Sequence, residues 1–200
     1  MANTQQNLQD RVRIVEEKLL SDNWAILKKT TLDYQRGDGT WQTLLRETYD
    51  RGNGATILLY NRQKRTVILT QQFRYPAYVN GHPQLLIEAC AGLLDDRDPA
   101  EAIRRETEEE TGYRIDEPQK VMEVFMSPGS VTEKLFFFVA EYHDDLRVNE
   151  GGGLQTDGED INVLEINLDD ALQMIERGEI LDGKTIILLQ YAKLHQLMDT

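Results

Sequence analysis

The sequence has little cysteine, little histidine and no long apolar run. Cys90 is the single cysteine among the 200 residues, which excludes an internal disulfide framework and a zinc site built from several cysteines. The three histidines, His82, His143 and His195, are widely separated along the chain and form no metal-ligand motif. No segment approaches the ~18 consecutive apolar residues of a membrane-spanning helix. We therefore expect neither a membrane span nor a cysteine-based metal centre.

Positive charge is also scarce. The sequence has 22 lysines and arginines against 35 aspartates and glutamates, so its net charge is −13 at pH 7. Electrostatic binding to nucleic acids or anionic membranes requires a basic surface, so this balance argues against both partners. The first ten residues are polar and lack the apolar segment of a secretory signal. We expect a soluble cytoplasmic protein with no nucleic-acid or membrane partner.

The N-terminal part of the chain has the composition of a small sheet. Residues 23–34 and 40–49 are β-rich and flank Arg36-Gly37-Asp38-Gly39, whose glycines favour a hairpin turn. Residues 11–20 have apolar positions at a spacing that fits either a helix or a strand. We predict an appended antiparallel sheet in this part of the chain.

The whole chain divides into an N-terminal β-rich region over residues 1–50 and a second domain over residues 51–200. In the second domain, apolar patterning predicts strands alternating with helices around a late glycine-rich loop. The strands cover residues 55–60, 65–73, 85–91, 134–142 and 161–166, the helices cover 99–111, 168–177 and 184–198, and the loop covers 146–160. This order predicts an α/β fold in which helices pack on a mixed sheet.

The helix predicted over residues 99–111 has an unusual concentration of glutamates. Glu106, Glu109 and Glu110 fall on one face, because positions three and four apart are neighbours on a helix. Two carboxylates ~5.5 Å apart repel by roughly 3 kcal/mol at an effective dielectric constant of about 20. A divalent cation that prefers hard oxygen ligands, magnesium or manganese, would offset this repulsion.

Neighbouring arginines give some of these glutamates a partner. Arg104 and Arg105 stand four residues before Glu108 and Glu109, so each of those glutamates has a candidate ion pair. Glu106 follows apolar residues at the equivalent positions and has no such candidate. The charge pattern alone leaves two interpretations open, which are a metal-binding face and a solvated acidic face.

The segment from Gly92 to Tyr113 resembles the signature of the Nudix hydrolases, which hydrolyse nucleoside diphosphates linked to another moiety. Residues 105–113, Arg-Glu-Thr-Glu-Glu-Glu-Thr-Gly-Tyr, match the second half of the signature, and Gly92 matches its start. Asp98 replaces the early glutamate with a spacer that is one residue short, and Thr107 replaces an aliphatic residue. The resemblance implies a Nudix α/β/α sandwich with a mixed sheet, and it leaves the role of Asp98 open.

Within that family, the chain is similar to bacterial enzymes that hydrolyse GDP-mannose. The matching segments are residues 21–24, 46–47, 50–55, 72–74, 90–95, 126–129, 131–133, 178–180 and 182–185. The resemblance implies that GDP-mannose and water give GMP and mannose 1-phosphate. It also implies a homodimer in which the N-terminal sheet serves dimerisation and contributes to the partner's site. The alternatives are hydrolysis of ADP-ribose to AMP and ribose 5-phosphate, and a non-catalytic nucleotide sensor.

The resemblance further implies Mg²⁺ as the cofactor, with Mn²⁺ as the alternative. The metal ligands that it implies are the carboxylates of Glu106, Glu110 and Glu159 and the backbone carbonyl of Ala91. Glu109 is either a further ligand or the ion-pair partner of Arg105. The late loop supplies three candidates for the general base, Asp157, Glu159 and Asp160, among which its position favours Glu159.

Substrate contacts are implied in both parts of the chain. Trp24 would stack on the guanine, and Arg46 and Glu47 would reach the nucleotide from the partner subunit. Arg74 would hold phosphate, because a guanidinium fork suits anionic oxygens, and Glu133 would accept from sugar hydroxyls. The implied catalytic residues are Glu110 and Glu159. The full implied substrate-binding set is Trp24, Arg46, Glu47, Arg74, Ala91, Gly92, Leu93, Glu110, Glu133, Glu159 and Lys184.

Overall fold

The N-terminal β-rich run folds into a three-stranded antiparallel sheet. In the computed structural model, which describes residues 7–154, 156 and 158–198, its strands are β1 (Val12–Asp22), β2 (Ile26–Gln35) and β3 (Trp41–Asp50), in the order β1-β2-β3. At the turn between β2 and β3, the backbone N–H of Arg36 donates to the carbonyl of Thr40 at 2.8 Å. The predicted hairpin is therefore confirmed, and residues 11–20, whose type the sequence left open, belong mainly to a strand.

A larger mixed sheet forms the second part of the structure. Its strands are β4 (Gly54–Asn61), β5 (Thr66–Gln72), β6 (Leu86–Glu88), β7 (Ala91–Leu93), β8 (Gln119–Phe125), β9 (Lys134–Glu141) and β10 (Asn162–Asn167). The main order is β10-β5-β4-β9-β8, with β6 beside β5 and β7 beside β4. Strands β4 and β9 pair in parallel and the other neighbours are antiparallel, which confirms the expected mixed sheet.

Four α-helices accompany this sheet in the described part of the chain. They are α1 (Tyr75–Val79), α2 (Pro99–Thr111), α3 (Leu168–Glu176) and α4 (Gly183–Leu194). Helix α4 ends before residue 198, where the sequence predicted its end. Gln196 adopts a left-handed φ of 52°, and the N–H of Leu197 donates to the carbonyl of Ala192 at 3.0 Å. This is a Schellman stop, which usually uses glycine and was therefore missed.

The prediction of one strand over residues 85–91 is wrong. The segment forms two short strands that pair with different neighbours, β6 with β5 and β7 with β4. The chain changes partner at Ala89 and Cys90, where the Cys90 carbonyl accepts the N–H of Ile57 at 3.0 Å. An apolar run does not reveal which neighbour it pairs with, so the break was not predictable. Helix α1 and strand β8 were also absent from the sequence prediction.

The core lies on both faces of the mixed sheet. On one face, Leu58 of β4 packs in a cluster with Leu168 of α3 and Leu188 of α4. On the other face, Ile57 packs in a cluster with Ile103 of α2. Adjacent residues of a strand point to opposite faces, so β4, which is buried along its whole length, supplies both clusters. The α/β/α sandwich is confirmed. Within the described residues, no helix combines the length and apolarity needed to cross a membrane.

The structure separates into two compact units. The first ends at Gly52 and also includes Ser127–Glu133, and the second comprises Asn53–Met126 and the chain from residue 134 onward. Within the first unit, Ser127–Glu133 attaches to β3 through Tyr49. The N–H of Tyr49 donates to the carbonyl of Ser130 at 2.8 Å, and its carbonyl accepts from the N–H of Thr132 at 3.1 Å. The role of the N-terminal sheet in dimerisation stays a prediction.

Candidate active site

Helix α2 is bounded by residues that fix both of its ends. The Asp98 carboxylate accepts from the N–H groups of Ala100 and Glu101 at 2.9 and 3.3 Å, so it caps the helix start. Pro99 occupies the first turn, where its missing N–H costs nothing. Gly112 ends the helix with φ 79°. The structure therefore has Asp98 as the helix cap, as its place directly before Pro99 predicts from the sequence.

Glu110 is the most buried carboxylate of the helix. Its side chain lies in the interior with only 3 % exposure. Among the described residues, its Oε2 has no hydrogen-bond partner. A buried acceptor without a partner is unfavourable unless another group satisfies it. This oxygen is therefore a position that a cation would fill.

Glu106 lies one turn before Glu110 and contacts the backbone of the segment around Gly92. A Cβ added to Gly92 would lie 2.3 Å from Cδ of Glu106, so only glycine leaves room for the carboxylate. The expectation that Glu106 lacks a partner is wrong, because Arg105 Nη2 donates to its Oε1 at 3.1 Å. The long arginine side chain bends to its immediate neighbour, which helix-face spacing does not anticipate.

Glu108 and Glu109 have arginine partners as well. Arg105 Nε lies 3.8 Å from Glu109 Oε1, so the ion pair offered as one reading of Glu109 is present. Glu108 pairs with Arg114 at 2.9 Å rather than with the predicted Arg104. Arg104 instead donates to the backbone carbonyl of Asp116 at 3.3 Å. Among these glutamates, Glu110 is the one with a buried oxygen that has no hydrogen-bond partner in the described residues.

The surroundings of Glu106 and Glu110 raise the pKa of both carboxyls in the metal-free protein. Burial raises the pKa of Glu110 to about 8, and the charges of Glu106 and Glu159 add to the rise, while the Cys90 thiol and Arg74 oppose it. Burial also raises the pKa of Glu106, against the effect of Arg105. A divalent cation would reverse both shifts, because it favours the ionised carboxylates.

The predicted base belongs to a loop attached to the end of α2. The N–H groups of Gly152 and Gly153 donate to the carbonyls of Glu110 and Glu109 at 2.9 and 3.1 Å. Within the loop, the half-buried Glu159 carboxylate accepts from the N–H of Leu154 at 2.9 Å. The alternative Asp160 is exposed, and the alternative Asp157 lies outside the described residues.

The predicted metal ligands do not form a closed side-chain cage. In the part of the chain that the structure describes, no three histidine, cysteine, aspartate or glutamate side chains are grouped so as to hold a metal ion. Glu106 and Glu110 share one face of α2, and Ala91 opens β7 beside Gly92. The donors that fit a metal are thus carboxylate and carbonyl oxygens, which suit Mg²⁺ or Mn²⁺. The four-ligand set stays a prediction.

Arg74, the predicted phosphate contact, and Lys184, a predicted substrate contact, share a carboxylate that was not predicted from the sequence. Arg74 Nε donates to Glu88 Oε2 at 2.7 Å, and Lys184 Nζ donates to Glu88 Oε1 at 2.6 Å. Lys184 also lies 3.1 Å from Asp182. A glutamate inside the apolar run of residues 85–91 was a visible signal, since buried charges are rarely unpaired. Gly92 and Leu93 are half-buried in β7.

The remaining predicted residues lie in the first unit. Trp24 is 71 % exposed, and the Arg51 guanidinium carbon lies 5.9 Å from the centre of its ring. Arg51 also donates from Nε and Nη2 to Glu133 Oε1 at 2.9 and 2.6 Å, which the sequence did not predict. Arg46 and Glu47 lie on β3, and Arg46 donates to the carbonyl of the preceding residue at 2.7 Å.

Comparison with known proteins covers both parts of the chain. A family model described as GDP-mannose pyrophosphatase NudK N-terminal domain matches residues 11–49, and one described as NUDIX domain matches residues 50–186. A protein of Pectobacterium atrosepticum is 57 % identical over 182 residues, covering 90 % of this chain and 93 % of the relative. A protein of Klebsiella pneumoniae is 52 % identical over 188 residues, covering 94 % of each chain.

A protein of Yersinia pestis is 53 % identical over 186 residues, covering 92 % of this chain and 93 % of the relative. All three relatives carry the curated name GDP-mannose pyrophosphatase. The NUDIX model spans more than half of the chain and includes the α2 carboxylates and Gly92. On these grounds, and with the α/β/α sandwich observed, the chain belongs to the Nudix hydrolase family.

Proposed function

We propose that this protein hydrolyses the diphosphate of GDP-mannose, in a Mg²⁺-dependent reaction that yields GMP and mannose 1-phosphate. The observation that carries the proposal is the buried Oε2 of Glu110, which has no hydrogen-bond partner among the described residues and lies one helical turn after Glu106. The names and high identities of the relatives support the choice of substrate. Mn²⁺ is the alternative cofactor.

The proposed metal ligands are Glu106, Glu110, Glu159 and the carbonyl of Ala91. The Glu110 oxygen that has no partner among the described residues supports this assignment. The raised pKa of both helix carboxylates in the metal-free protein also supports it, and burial is the largest cause of the rise in each. A divalent cation bound there would neutralise charge on the diphosphate and lower the pKa of bound water.

The chain's own residues would orient the substrate and move the proton. Arg74 would hold phosphate oxygens through its terminal nitrogens, and Lys184 would donate its remaining N–H. The backbone of Gly92 and Leu93 would lie along the diphosphate. Glu159 would take the proton of the attacking water. Its charge acts on both Glu106 and Glu110, which supports Glu159 over the exposed Asp160.

The nucleotide and sugar ends would be recognised by residues of the first unit. In the proposed homodimer, Trp24 stacks on the guanine, and Arg46 and Glu47 approach from a second copy of the chain. Glu133 accepts from sugar hydroxyls. The exposure of Trp24 supports its availability for stacking. A cytoplasmic location for the reaction stays a prediction from the sequence.

The test is product identification by mass spectrometry with Mg²⁺ in ¹⁸O-labelled water. The wild type should release GMP and mannose 1-phosphate, with the label on one product identifying the attacked phosphorus. Glu110→Gln should lose at least about 100-fold in kcat/KM. The matched control is Glu108→Gln on the same helix, whose carboxylate pairs with Arg114 and whose loss should leave turnover unchanged.

The other outcomes identify the alternatives. AMP and ribose 5-phosphate from ADP-ribose, with no turnover of GDP-mannose, would replace the proposed substrate but keep the reaction class. Tight nucleotide binding without any product would indicate a sensor. Equal turnover by the wild type and Glu110→Gln would contradict the metal assignment. Gel filtration and light scattering of the intact protein test the dimer, and a monomer would contradict it.

A further inference from the structure

Glu88 is a buried carboxylate that joins two cationic side chains far from it in the sequence. Its side chain is 5 % exposed. One oxygen accepts from Arg74 Nε at 2.7 Å and the other from Lys184 Nζ at 2.6 Å. Both oxygens are therefore engaged, and each binds a different cation.

The two cations differ in the hydrogen-bond donors that remain available to a substrate. The Arg74 side chain is 41 % exposed and bonds Glu88 through Nε. Within the described residues, its two terminal nitrogens have no hydrogen-bond partner. The Lys184 side chain is 10 % exposed and lies between Glu88 and Asp182, at 2.6 and 3.1 Å. The terminal nitrogens of the Arg74 guanidinium thus remain available for a ligand, whereas the Lys184 ammonium is largely enclosed.

A chain of short contacts keeps Glu88 in place. Asp182 Oδ2 accepts from both the N–H and the hydroxyl of Thr185, at 3.0 and 2.6 Å. The same hydroxyl accepts from the N–H of Ala89 at 2.6 Å. The start of α4 is therefore bonded to the residue that follows Glu88, so the carboxylate has little freedom to move.

We propose that Glu88 is a positioning residue that fixes the Arg74 guanidinium for the diphosphate. The bond to Nε holds the planar group side-on and leaves the terminal nitrogens free for bidentate contact with phosphate oxygens. Lys184 acts through the same carboxylate by compensating its charge, since an unpaired buried carboxylate would be unfavourable. This inference rests on the proposed function, because it assigns Arg74 to the substrate.

The test is Glu88→Gln. The amide keeps the size of the carboxylate, but its NH₂ group faces one of the two cations in place of an acceptor. The KM for GDP-mannose should rise about 10- to 100-fold, while kcat falls by less than about threefold. The Mg²⁺ activation constant should stay unchanged, which separates this effect from damage to the α2 carboxylates. Glu88→Asp, too short to reach both cations, should also raise KM.

A matched control exists on strand β8. Glu123 likewise bridges two cations, Lys120 and, at 2.7 Å, Lys134. Glu123→Gln removes a doubly bonded carboxylate from the same unit, and it should leave KM unchanged. Equal effects of Glu123→Gln and Glu88→Gln would overturn the positioning role.

A double-mutant cycle distinguishes positioning from general stabilisation. If Glu88 acts through Arg74, Glu88→Gln should change KM by less than about twofold in an Arg74→Ala background. If Glu88 had only a structural role, Glu88→Gln would change KM by the same factor with Arg74 and with Ala at position 74. Full additivity would therefore overturn the inference even if the single variant is impaired.

Binding of inorganic pyrophosphate to the metal-free protein, measured by calorimetry, separates this inference from the proposed function. Glu88→Gln should weaken pyrophosphate binding by at least about tenfold. If the wild type hydrolyses no nucleotide sugar but shows this difference, the function fails and the positioning role stands. If the wild type hydrolyses GDP-mannose and Glu88→Gln matches it in KM and pyrophosphate affinity, the positioning role fails alone. If the wild type neither hydrolyses nor binds pyrophosphate, both fail.

Discussion

The side chain of Glu106 lies against the backbone of Gly92, so that a Cβ at position 92 would be 2.3 Å from Cδ and 2.4 Å from Cγ of Glu106. The contact also includes the carboxylate oxygen Oε2 at 2.7 Å, so an added Cβ would occupy the space of the carboxylate itself. The absence of a side chain at position 92 therefore determines where the Glu106 carboxylate lies.

Gly92→Ala should displace Glu106 and reduce activity. We expect a loss of about 1–3 kcal/mol in the free energy of unfolding, typical of overpacking, and a fall of at least about tenfold in kcat/KM. Urea unfolding and steady-state kinetics measure the two effects. Gly37→Ala is the control, because a Cβ there meets nothing within 4 Å. Normal kinetics for Gly92→Ala would contradict the role given to this contact.

The stability of the metal-free protein should fall as the pH rises. Burial raises the pKa of Glu110 to about 8 from an ordinary value of 4.5. The folded state thus retains a proton that the unfolded chain releases. The associated stability is complete below the ordinary value and is lost as the pH rises through the folded value. Between pH 5 and pH 8.5, the free energy of unfolding should decrease more steeply for the wild type than for Glu110→Gln.

Urea titrations in chelator across that pH range measure the difference between the two slopes. Added Mg²⁺ or Mn²⁺ should restore wild-type stability at the alkaline end, because the cation takes the place of the proton. Parallel curves for the wild type and Glu110→Gln would contradict the prediction.

Gly112→Ala should be more destabilising than Gly178→Ala. Both residues have a left-handed backbone, with φ 79° and 72°, so both pay the conformational cost of about 1–2 kcal/mol. At Gly112 a Cβ would also lie 2.2 Å from the carbonyl oxygen of Asn149, whereas at Gly178 it meets nothing within 4 Å. Thermal and urea unfolding compare the pair. Equal losses would show that the Asn149 contact relaxes freely.

Asp98→Ala should affect the helix and not the chemistry. Loss of the cap to Ala100 and Glu101 should reduce the free energy of unfolding by about 1 kcal/mol. Asp98→Asn retains an accepting oxygen and should be close to the wild type. The metal activation constant should be the same in all three proteins. A raised constant in Asp98→Asn would instead indicate that the carboxylate charge serves the metal.

Local signals made α2 predictable from the sequence. Asp98, Pro99 and Gly112 specify its ends through bonds to neighbouring residues, and the structure has both ends where they were expected. The end of α4 was missed because Gln196 takes the left-handed conformation that glycine usually supplies. The end of a helix is therefore predictable from the sequence only where the residue that ends it is of a type common at that position.

The cation pair at Glu88 was not predictable in this way. Its partners Arg74 and Lys184 lie 14 and 96 residues away, and only the folded sheet brings them together. The two cations were predicted as substrate-binding residues because they match positions of the family. The carboxylate between them has no motif of its own, and the structure was needed to find it.

The backbone bonds from Gly152 and Gly153 to the carbonyls of Glu110 and Glu109 have a consequence for engineering. They connect the loop that carries Glu159 to the last turn of α2. A loop transplanted from a relative should therefore include the last turn of that relative's helix. A replacement loop with a different backbone path would lose these two hydrogen bonds and would shift the acid at position 159 relative to α2. Chimaeras designed to alter turnover should therefore be cut before the helix rather than after it.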